Sequence, residues 1–105
     1  MNDPVQTNEV PLLPLEPFLS AIGGLVRWRI LQELVKGEPL MVVELAERLG
    51  KSASLVSKHM KVLRDAGAVT AGRAGLYRLP PQFPASAEER TVDFGYCVLR
   101  LGARR

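Results

Sequence analysis

A chain of 105 residues has room for one small domain, and such a domain buries only about two-thirds of the surface its unfolded chain exposes, so help from a partner chain fits its size. Hydrophobic residues make up 47% of the sequence, which excludes a chain too polar to collapse; lysine plus arginine outnumber aspartate plus glutamate by 14 to 11, and the pI of about 9.4 directs attention to anionic partners such as nucleic acid. One cysteine, Cys97, excludes an internal disulfide framework and a cysteine-cluster zinc site. No apolar run approaches the ~18 residues of a membrane span, and the N-terminus lacks the basic-then-apolar order of a signal peptide, so a cytoplasmic protein without a membrane partner is expected.

Residues 1–14, MNDPVQTNEVPLLP, contain three prolines and no helical period, and read as a tail whose Leu12 and Leu13 can dock on the domain. Helical character begins at Leu15: LEPFLSAI carries Pro17 in a first turn and meets Gly23 and Gly24. In LVRWRILQELVKG, Val26, Ile30 and Leu34 share one face and Trp28, Leu31 and Val35 another. One face serves the core; the other either joins it or meets a partner subunit. A third helix is predicted in MVVELAERLG, where Val42, Leu45, Ala46 and Leu49 fall at i, i+3, i+4 and i+7 before Gly50. Ser52 then offers a capping oxygen to a fourth helix that runs to about Ala66 before Gly67.

Beyond the helices, AVTA and LYRL flank GRAG, a hairpin signal in which glycine supplies positive φ. PPQFPASAEE reads as a proline-rich connection. The closing RTVDFGYCVLRL alternates, with Val92, Phe94, Tyr96 and Val98 on one side, and predicts a single strand that holds Cys97 as a small buried hydrophobe. The predicted fold is mainly α with a small β-hairpin wing, an α+β winged helix-turn-helix over residues 15–79, followed by a connection and strand over 80–105 that can serve dimerisation.

The fourth helix carries the functional signal. At about 100° per residue, Val56, Met60 and Leu63 form one stripe while Ser54, Lys58, Lys61 and Asp65 lie opposite, with Ser57 and Arg64 on the flank. Lysines on such a face meet phosphates, and small hydroxyls let a helix approach base edges in a major groove. An ordinary solvated face is the plain alternative. Against it stand the short turn, the small Ala46 where a second helix must cross, and the hairpin arginines Arg73 and Arg78. Lys51, Lys58, Lys61 and Arg73 are the expected phosphate contacts.

Residues 27–69 resemble the arsenic-repressor (ArsR-type) winged-helix family, through R-x-x-I-L in the second helix, E-L-A before the turn, and the run V-S-x-H-x-x-x-L-x-x-A-G. The resemblance implies a homodimeric transcriptional regulator that binds double-stranded DNA, with Ala53, Ser54, Leu55, Ser57, Lys58 and His59 on or beside the reading surface. Ala53 and Leu55 stand where many relatives carry glutamine and threonine, and GRAG is a shorter, less charged wing than usual. Where metal-sensing members carry a C-x-C pair, this chain has Met41 and Val43, so no metal and no cofactor is expected. His59, the only histidine, is expected as a phosphate or helix-packing contact. With one histidine and one cysteine about forty residues apart, and no phosphate-binding glycine loop, no catalysis is expected. Phe18, Trp28, Phe94 and Tyr96 are the expected dimer anchors. The overall expectation is a repressor; a winged helix kept as a protein–protein interaction module is the alternative, and the sequence names no effector.

Overall fold

A computed structural model describes residues 12–102; most of the expected tail, residues 1–11, and the last three residues lie outside them. Four helices come first: α1 (Leu15–Ile22), α2 (Leu25–Leu34), α3 (Val42–Leu49) and α4 (Ala53–Asp65). Two antiparallel strands, β1 (Thr70–Ala71) and β2 (Tyr77–Arg78), form the wing, and β3 (Ala85–Ser86), β4 (Thr91–Asp93) and β5 (Val98–Arg100) form a second antiparallel sheet in that order.

Local chemistry sets the helix ends. Glu44 accepts the Met41 N–H at 2.8 Å and so starts α3. Gly50 ends it at φ +68°, a conformation in which the Lys51 N–H turns back to the Ala46 carbonyl at 3.0 Å. Two residues later the Ser52 hydroxyl oxygen accepts the Leu55 N–H at 3.2 Å and opens α4. Both apolar faces of α2 turn inward, since Ile30, Leu31, Leu34 and Val35 are all buried and only Val26 and Trp28 remain half-buried. Leu45, Ala46 and Leu49 of α3 meet the α4 stripe of Val56, Met60 and Leu63 in the same core. Leu13 docks at the far end of α4, close enough that a Cβ on Gly67 would lie 2.8 Å from its Cδ2, whereas Leu12 stays exposed.

The wing is tied to the helices. Leu40 exchanges both backbone hydrogen bonds with Tyr77, at 3.0 and 2.8 Å, so the loop between α2 and α3 adds a bridge to the hairpin. Thr70 faces Arg78 and Ala71 faces Tyr77.

The C-terminal region departs from expectation in three ways. Part of the proline-rich connection is a strand, β3, paired with β4. The predicted single strand is a hairpin: Asp93 faces Val98, and Gly95, at φ +100°, turns the chain with its N–H donated to Asp93 Oδ1 at 2.9 Å. The turn resets the alternation, so Val92 and Phe94 point inward while Tyr96 and Val98 are exposed and Leu101 returns to the core. Cys97 is exposed at this turn, not buried. Phe94 lies between Phe18 and Phe83, with ring centroids 5.0 Å from each, and Gln32 donates to the Leu101 carbonyl at 2.8 Å. One core therefore runs from α1 through the C-terminal sheet.

Candidate nucleic-acid interface

The α3–turn–α4 unit presents one face of α4 to solvent. Val56, Met60 and Leu63 hold the helix on the core, and Ala53, Ser54, Leu55, Ser57, Lys58, Lys61 and Arg64 are exposed, as is Lys51 just before the cap. Each residue expected on this face from the helical period is therefore on the surface, whereas His59, expected beside it from the family resemblance, is half-buried. Lys61 pairs with Asp65 at 2.9 Å, one turn along the helix. Such an exposed pair is worth little in water, so Lys61 can exchange its carboxylate for a phosphate at small cost. Among the described residues, the other ion pairs are Lys36–Glu33, Arg48–Glu33 and Arg48–Glu38. Lys51, Lys58, Arg64, Arg73 and Arg78 take part in none of them, so the uncompensated basic charge includes α4 and the wing. The pairing with Glu38 and Glu33 raises the Arg48 pKa and occupies that guanidinium.

His59 is half-buried and packs against α2. Its Nδ1 lies 3.0 Å from an Arg27 guanidinium nitrogen, which donates, so Nδ1 is the unprotonated acceptor. Burial chiefly, and the Arg27 charge second, push the imidazole pKa below its usual value. The same guanidinium donates to the Ala21 and Ser20 carbonyls at 2.5 and 3.3 Å, so Arg27 ties the end of α1 to α4. Of the two roles expected for His59, the structure shows the packing contact. Arg27 enters the sequence reading only as the first residue of R-x-x-I-L; its contacts were not foreseen, because its partners lie at separations from 6 to 32 residues and no local pattern marks them.

The wing turns through Arg73–Gly75 with Ala74 at φ +58° and Gly75 at φ +72°. Arg73, in the turn, and Arg78, paired opposite Thr70, line one depression with Pro39, Gly72 and Leu76.

The expected dimer anchors divide. Phe18 and Phe94 are fully enclosed in the chain's own core and offer no ring surface to a second copy. Trp28 is half-buried and lines an apolar depression with Leu19, Ile22 and Leu25; Leu25 is 73% exposed, and Tyr96 is also exposed. Leu19 and Leu25 were not expected there, although Leu15 and Leu19 repeat at i, i+4 off the Phe18–Ile22 face. At the family's metal-ligand positions, Met41 and Val43 are exposed and neither carries a thiolate. Among the described residues, no three His, Cys, Asp or Glu side chains gather, and no helix is long and apolar enough to cross a membrane.

Two helices joined by a tight turn, with a β-hairpin bridged to their scaffold, define a winged helix-turn-helix. A family model described as a helix-turn-helix domain matches residues 26–70. The uncharacterized HTH-type transcriptional regulator YuzN of Bacillus subtilis is 37% identical over 70 residues, an alignment that covers 61% of this chain and 76% of that protein. The HTH-type transcriptional regulator NmtR of Mycobacterium tuberculosis is 44% identical over 57 residues, which is 54% of this chain and 47% of the relative. Among solved structures, HlyU from Vibrio cholerae superposes with a TM-score of 0.55 at 32% identity, covering 69% of this chain and 75% of that one. The chain belongs to the helix-turn-helix transcriptional regulators of the arsenic-repressor type, a family of DNA-binding regulators and not of enzymes.

Proposed function

We propose that this regulator is a cytoplasmic homodimeric repressor that seats the α4 helices of its two subunits in successive major grooves of a palindromic site, about 34 Å apart. The carrying observation is the division of α4: Val56, Met60 and Leu63 are fully buried while Ser54, Ser57, Lys58 and Lys61 face outward as one surface. Lys51, Lys58, Lys61 and Arg73 supply phosphate contacts, with Arg64 and Arg78 beside them, and Ala53, Ser54 and Ser57 approach base edges. His59 supports the surface through Arg27. Dimerisation uses the apolar depression at Leu19, Leu25 and Trp28, with Tyr96 as a further contact. Repression follows most simply, since a dimer seated on duplex DNA excludes other proteins from the same stretch. With Met41 and Val43 in place of thiolates, binding is independent of metal.

A salt titration of duplex binding tests this. Roughly six to eight phosphate contacts per dimer give a slope of log affinity against log salt near −5 to −7. Lys58→Ala removes two contacts from a dimer, so the slope becomes shallower by about 1 to 2 while the urea midpoint stays put. Equal affinities and equal slopes for both proteins would transfer the function to a protein partner.

A further inference from the structure

The leading turn of α4 carries an uncommon set of side chains for a helix that enters a major groove. The Ser52 cap starts the helix at Ala53, so its first three side chains belong to Ala53, Ser54 and Leu55, all exposed. Side chains of an α-helix lean toward its N-terminus, so these three project past the helix end, where a recognition helix meets base edges. Bidentate reading of guanine takes arginine or lysine, adenine takes asparagine or glutamine, and cytosine takes a carboxylate. This turn has none of them. It has one hydroxyl, which suits several bases, and two apolar groups, of which Leu55 is the larger and 37% exposed. In the major groove the base feature that an apolar group matches is the C5-methyl of thymine. The core does not account for Leu55, because the buried stripe of α4 is Val56, Met60 and Leu63.

We infer that Leu55 is a specificity-determining residue that packs on a thymine C5-methyl in each half-site, an inference that rests on the DNA-binding reading above. The complementary target is a site with thymine at the base pair met by the first turn of α4, and the same contact disfavours cytosine there, which lacks the methyl.

The test uses uracil, which pairs and hydrogen-bonds as thymine does and lacks only the methyl. Duplexes with a randomised centre are enriched on the full-length wild-type protein, and the recovered sequences are then made with thymine and with uracil. Burying one methyl is worth about fourfold, so two half-sites give about fifteenfold tighter binding of the thymine duplex. Leu55→Ala, at an exposed position, keeps the fold and the salt slope and brings the thymine-to-uracil ratio to within about twofold. Equal binding of the two duplexes by wild type overturns the inference alone. So does a full ratio retained by Leu55→Ala, which would show that the methyl acts through duplex shape. Absence of salt-dependent binding to either duplex overturns the DNA-binding reading, and the inference with it.

Discussion

The helix-turn-helix and the C-terminal sheet bury their apolar residues by opposite means. In the first, Leu45, Ala46 and Leu49 of α3 meet Val56, Met60 and Leu63 of α4 across a turn of Gly50, Lys51 and Ser52, so the partners are close in sequence. In the second, Phe94 reaches back to Phe18 of α1, and the Leu101 carbonyl takes a hydrogen bond from Gln32, 69 residues away. The family match covers residues 26–70 and so includes the first region and stops before the second. The difference separates two jobs. A short-range unit carries α4, and a long-range sheet closes the core over α1, whose outward Leu19 lines the proposed subunit contact.

Removing the ring of Phe94 attacks this division hardest. Phe94→Ala empties the space between Phe18 and Phe83 and is expected to destabilise the protein by about 3–5 kcal/mol, a large share of the stability of so small a domain. Helical ellipticity and Trp28 fluorescence should be lost together at lower urea. Were the helices to melt at the wild-type midpoint, the sheet would be an independent appendage and the single core would be wrong.

A smaller effect sharpens the other side. Gly50 sits at φ +68° with open space around its Cβ position, so Gly50→Ala meets no neighbour and costs only backbone strain, about 1–2 kcal/mol. Because α3 and α4 are joined there, DNA affinity should fall by more than the stability loss alone explains. Wild-type affinity in a folded Gly50→Ala protein would show that the angle between the two helices does not depend on this turn.

The smallest effect concerns the contact that ties α1 to α4. The folded state favours neutral His59, whose pKa lies below the ordinary 6.5, so the unfolded chain takes up the proton first on acidification. The stabilisation is complete above about pH 6.5 and is lost as the pH falls through the depressed folded value, where a protonated Nδ1 no longer accepts from Arg27. Between pH 7 and 5 the urea midpoint of wild type should fall slightly more than that of His59→Gln. Coincident profiles would mean that the Arg27–His59 contact contributes nothing measurable to the fold.

The sequence by itself determined the four helices, the turn between α3 and α4, the wing and the exposed face of α4. Those features depend on signals within a few residues of one another: apolar residues at helical spacing, the Ser52 hydroxyl beside its own first turn, and Gly50 at the one conformation its neighbours need. Only the tertiary structure decided the C-terminal hairpin, the burial of Phe18 and Phe94 and the partnership of His59. The alternation of Val92, Phe94, Tyr96 and Val98 reads the same whether the chain runs on or doubles back at Gly95, and pairing with β3 and the space between Phe18 and Phe83 choose the second course. Exposure of Cys97 follows from that turn. Long-range contacts of this kind are selected by the shape of a core assembled from distant parts of the chain, and no local pattern records that shape.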